Sequence, residues 1–120
     1  MDNDIQVVLR YRDGRTERVA LVPIDLALGA VSVRREGGET AEVPFSLLKA
    51  VFFPRIGDAE TPVEGGSMLS IEFTDGEVIR GRASYNPERN GFFLYPNDRS
   101  KNDRIFVVNS AIVSIEVEKL

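Results

Sequence analysis

Cysteine, histidine and tryptophan are all absent from the 120 residues. Without cysteine there can be no disulfide and no thiolate metal site, which fits a reducing compartment. With histidine missing too, the common zinc ligand sets, the Ser-His-Asp arrangement and the cysteine nucleophile have no members to draw on. We therefore expect no catalytic set, no metal and no cofactor, and read the chain as non-enzymatic. Long apolar runs are lacking as well, since nothing approaches the roughly 20 residues that span a bilayer. The opening "MDNDIQ" is acidic where a secretory signal is basic and then apolar. A cytoplasmic protein without membrane insertion is expected. Nor does one sign of charge prevail. The net charge is −4, with 8 basic and 10 acidic side chains in residues 1–60 and 7 and 9 in residues 61–120. So balanced a chain has no basic arm for phosphate backbones, which argues against nucleic acid as the partner.

What is present is a repeat. "YRDGRTERV" at residues 11–19 and "FTDGEVIRG" at residues 73–81 share an aromatic, then Asp-Gly, then an arginine. At the same offset of 62 residues Gly29 falls on Gly91, Val43 on Ile105 and Val51 on Val113. Residues 4–53 and 67–118 thus read as two copies of one unit, with 54–66 as a linker rich in proline and glycine. Each copy reads as five short strands. "IQVVLRY" and "MLSIEF" end at Asp-Gly hairpins, which predict type I′ turns. A single helical turn over "FSLLK" or "VNSA" precedes each last strand. Val7, Leu9, Val31, Val43, Val51, Leu69, Ile71, Phe93, Ile105, Val107, Val113 and Ile115 are the expected core.

Five strands with one turn before the last resemble the SH3-like and Sm-like small barrels. In the second copy the resemblance rests on Asp75-Gly76, on Gly81 and on "IFVVNSAIVSIE". It implies an all-β protein of two tandem five-stranded barrels packed as one pseudo-symmetric unit. Sm-like units often form rings, so a homo-oligomer is a further expectation. Three elements of the second copy also resemble a bacterial domain of unassigned function found beside PilZ and response-regulator modules. These are the "DGE" hairpin, the segment "YNPERNGFFLYP" at residues 85–96, and "RIFV" at residues 104–107. That likeness implies a regulatory or signalling-adaptor role.

The candidate site lies where aromatics meet a charged hairpin tip, in "GFFLYPNDRSKNDRIFV". Tyr85, Tyr95, Arg99, Lys101 and Arg104 are read as one protein-binding face, with the aromatics as anchors and Arg99 and Lys101 on an exposed polar rim. A rival reading is single-stranded RNA or DNA stacked on Tyr85 and Tyr95, with Arg80, Arg82 and Arg89 on the backbone. A third rests on "PIDLALGAVSV", which resembles the D-x-S-x-x-G signature of PilZ domains that bind cyclic di-GMP. Ala27 and Ala30 replace its serine and glycine, leaving Arg15, Arg18 and Asp25 as a degenerate ligand set.

Overall fold

The computed structural model describes residues 5–22, 29–55 and 65–118. The strands are β1 (Ile5–Tyr11), β2 (Thr16–Leu21), β3 (Ala30–Arg34), β4 (Thr40–Pro44), β5 (Leu48–Pro54), β6 (Ser67–Phe73), β7 (Val78–Ala83), β8 (Gly91–Pro96), β9 (Asn102–Val108) and β10 (Ile112–Val117). A 3₁₀ turn precedes β5 at Phe45–Leu47 and another precedes β10 at Asn109–Ala111. Most of the expected linker, and Asp25 and Ala27 with it, lies outside the described residues.

The two Asp-Gly hairpins are built alike. Gly14 N–H donates to the Tyr11 carbonyl and Gly76 N–H to that of Phe73. Asp13 and Asp75 each accept the backbone N–H two residues on. Only the glycines have positive φ, at 95° and 88°, so these are not type I′ turns. They are three-residue loops with a left-handed glycine, in which the aspartate side chain supplies the turn's extra hydrogen bond.

All ten strands join one open antiparallel sheet in the order β10-β6-β7-β8-β9-β5-β1-β2-β3-β4. This differs from two separate five-stranded sheets, because β5 pairs with β9 and fuses them. Within the sheet, strands one to five and six to ten follow the same order: last, first, second, third, fourth.

The register corrects the ungapped offset. Leu9 pairs with Val51 as Ile71 pairs with Ile115, so β5 corresponds to β10 at 64 residues, not 62. Val51 therefore corresponds to Ile115, and Val113 corresponds to Lys49. Leu21 pairs with Val33 as Ala83 pairs with Leu94, which sets β3 against β8 at 61. Gly29 accordingly matches Asn90 rather than Gly91, and their carbonyls accept from Phe45 and Asn109. One residue is lost before the third strand and three are gained at the following hairpin tip.

Alternation along the strands explains the burial. At the β5–β9 pairing, Val51 and Phe53 share a face with Phe106 and Arg104, while Ala50 and Phe52 share the other with Val107 and Ile105. The first face continues the core of Val7, Leu9, Val31, Val43 and Phe45; the second continues that of Leu69, Ile71, Phe92 and Leu94. The junction strands are covered on both sides and read as unbroken apolar runs, "AVFF" and "IFVV". Edge strands β4 and β10 have one wet side. Of the expected core, Phe93 in β8 is half-buried, while in β10, whose outer edge meets no strand among the described residues, Ile115 is half-buried and Val113 is exposed.

Candidate interaction site

The loop between β7 and β8 is held by asparagines. Asn86 Oδ1 accepts the Glu88 N–H at 2.9 Å, and the Asn86 carbonyl accepts the Arg89 N–H at 3.2 Å. From across the sheet, Asn109 Nδ2 donates to the carbonyls of Asn86 at 3.0 Å and Arg89 at 2.6 Å. Fixed in this way, the loop presents Tyr85, 44% exposed, edge-on to Phe92 with ring centres 5.4 Å apart. An open cleft of about 530 Å³ lies beside it, lined by Tyr85, Arg89, Phe92, Phe93 and Phe106. Gly91 makes room for it: a Cβ there would stand 2.4 Å from the Val107 carbonyl oxygen and 2.5 Å from the Phe106 ring.

The five residues singled out from the sequence do not form one face. Tyr85 sits with Phe92 on one side of β8, and Tyr95 lies on the side of Phe93. Around Tyr95 the hairpin tip is self-engaged. Arg99 lies over the Tyr95 ring at 5.4 Å, donates through Nε to the Asp103 carbonyl at 3.0 Å and forms an ion pair with the Asp103 carboxylate. Its side chain is 14% exposed, so it is a clamp rather than an exposed rim. Arg104 stacks between Phe53 at 4.6 Å and Phe93 at 4.7 Å. Lys101 alone of the three cations is exposed, and its carbonyl accepts the Arg55 N–H at 2.9 Å. The three extra residues of this tip thus reach back to the end of β5.

The cations of the other two readings are dispersed. Arg80 is paired with Glu118, Arg82 lies opposite Tyr95, and Arg89 lines the Tyr85 cleft. Arg15 is paired with Asp13 at 2.7 Å and lies over Tyr11 at 4.6 Å. Arg18 lines a separate open cleft of about 370 Å³ with Gln6, Arg34 and Arg35. Among the described residues no group of acidic side chains is placed to hold a metal ion.

Sequence reasoning missed Lys49. Its side chain is only 6% exposed, yet Nζ reaches Asp75 Oδ2 at 2.8 Å, Glu77, and the face of Phe73 at 5.0 Å. Arg10 adds a second cation 3.5 Å from Glu77. The hydrogen bond from Lys49 holds the Asp75 carboxyl below its usual range. The available signal was the lone charge in "LLKAVFF". A second such pair ties β2 to the first tip: Arg35 donates to Glu17 at 2.6 Å, which holds that carboxyl low.

Comparison with known proteins gives one family. A model described as a family of unknown function (DUF6982) matches residues 3–119, both halves of the sheet included. No curated protein matches the chain.

Proposed function

Since the chain belongs to that family of unknown function, we propose from its own geometry that it is a non-enzymatic protein-interaction module of a regulatory system. In this reading each five-strand block wraps its core as an Sm-like or SH3-like unit, and the fused sheet is a scaffold for one aromatic cleft. The observation that carries it is Tyr85, half-exposed on a loop pinned by Asn86 and Asn109, edge-on to Phe92 and beside a cleft that Phe93 and Phe106 also line. A rigid aromatic beside an open apolar floor is how hot-spot residues anchor a partner.

Affinity capture from a native lysate, with and without nuclease, tests this. The expected result is a nuclease-resistant protein partner that Tyr85→Ser loses while the melting temperature moves by only a few degrees. A partner retained in full by Tyr85→Ser removes the cleft from the reading. Arg89 in the same cleft favours one rival, single-stranded nucleic acid stacked on Tyr85. Release of the captured material by nuclease, with affinity falling steeply in salt, would put that rival first.

A further inference from the structure

The two ends of the sheet are not equivalent, and the junction shows what each lacks. At the junction, β5 is closed by β9. Phe106 pairs with Val51, Arg104 pairs with Phe53, and Phe93 packs behind them, 5.7 Å from Phe53 and 5.3 Å from Phe106. The corresponding strand of the second half is β10, where Ile115 replaces Val51 and Val117 replaces Phe53. Among the described residues no strand covers its outer edge, and Val113 and Val117 are each 60% exposed.

The other end cannot serve as that cover. Continuing the junction's register, β4 of a second chain would set Glu42 against Ile115, where β9 offers Phe106 to Val51. Thr40 would stand in the place of Arg104. A carboxylate closed over an apolar row without a partner is strongly unfavourable. Phe45 N–H bonds inward to the Gly29 carbonyl, so the nitrogen of Pro44 faces the outer edge and carries no proton. Among the described residues, one edge is thus interrupted by a proline and a carboxylate and the other is open.

We propose that the outer edge of β10 is a strand-addition site for a partner protein. It takes an extended antiparallel segment with an aromatic or branched apolar residue at alternate positions, facing Ile115 and Val117 from the places that Phe106 and Arg104 take against Val51 and Phe53. The intervening partner residues lie opposite Ser114 and Glu116, both exposed, so a polar or basic side chain fits there. The site stands on the sheet edge and is independent of the Tyr85 cleft.

The probe is a capped peptide of residues 101–110 carrying Arg104→Val, Ile105→Lys and Val107→Ser, which sets apolar side chains against Ile115 and Val117 and polar ones against Ser114 and Glu116, titrated into the full chain and followed by amide hydrogen exchange. The expected result is saturable binding that protects residues 112–117. Glu118 N–H bonds inward to Met68, so by alternation the Val117 N–H points outward. Val117→Pro removes that donor without touching the pairing to β6, and should weaken the peptide about tenfold with little change in melting temperature. Val117→Lys, which keeps the donor but charges the apolar row, should weaken it as well and covers the case in which the proline variant unfolds. Three outcomes overturn the proposal: no binding at millimolar peptide, protection confined to another strand, or concentration-dependent dimerisation that either variant abolishes, which would make the occupant a second copy.

Discussion

Lys49 sits in a strand covered on both faces, and among the described residues its charge is answered by the two carboxylates of the Asp75 hairpin. Removing the answer should cost more than removing the charge. Asp75→Ala with Glu77→Ala is expected to destabilise by about 2 kcal/mol, reduced from the usual figure for a buried pair because both carboxylates are over a third exposed. Lys49→Met should stay within about 1 kcal/mol of the parent, as isosteric apolar replacement of buried charge commonly does. Urea midpoints check both. The same contacts set the acid behaviour. Asp75 and Glu17 titrate below their unfolded values, so their contribution is complete above the ordinary carboxylate range, roughly pH 5, and is lost as pH falls through the lower folded values. Lys49→Met should flatten the part of that loss that belongs to Asp75.

The third strand of the second half meets the strands on either side of it so closely that two positions exclude a side chain. A Cβ at Gly81 would lie 2.4 Å from the Tyr95 carbonyl oxygen, and the Gly91 contacts are as short. Gly91→Ala is therefore expected to lower stability by about 2 kcal/mol or more, and Gly14→Ala, where φ is 95° but the space is empty, by about 1 kcal/mol. Chemical denaturation separates them. Val107→Ala should cost about 2–4 kcal/mol, whereas Ile115→Ala should cost nearer 1, because Ile115 is half-buried and its strand meets no outer neighbour among the described residues. This is where the sequence was legible and where it was not. Asp-Gly pairs, alternation and the glycines mark strands and turns because those signals are local. The offset between copies was invisible past the second strand, since insertions at loop tips leave no local trace. The junction was half visible: "AVFF" and "IFVV" lack polar alternation, which is what two-sided burial requires, but "FFLY" in β8 lacks it too. Of the site, Tyr85 and the tip aromatics could be named. That Arg99 and Arg104 are spent on Asp103, Tyr95, Phe53 and Phe93 could not, because those contacts depend on register.

At the scale of the whole molecule, the halves share their middle strands and neither core is complete alone. Phe45 of the first half packs on Phe106 of the second, with ring centres 5.6 Å apart. One cooperative unfolding transition is expected for the full chain, with matching thermal and chemical probes. A fragment of residues 1–55 should fail to show the dispersed amide spectrum of a folded domain, because Val51, Phe52 and Phe53 would be bare. The β5–β9 pairing also has a consequence during synthesis. Pro54 ends β5 and Asn102 begins β9, so 48 residues must be translated before the fifth strand meets its partner. At roughly 5–20 residues per second that is about 2–10 s in which "AVFF", paired with β1 on one side, has a bare outer edge. During that interval neighbouring nascent chains on the same message carry the same bare edge at high local concentration. The order in which the halves are made, rather than their final stability, then sets how much chain is lost to aggregation, and slower translation through residues 55–101 should raise that loss.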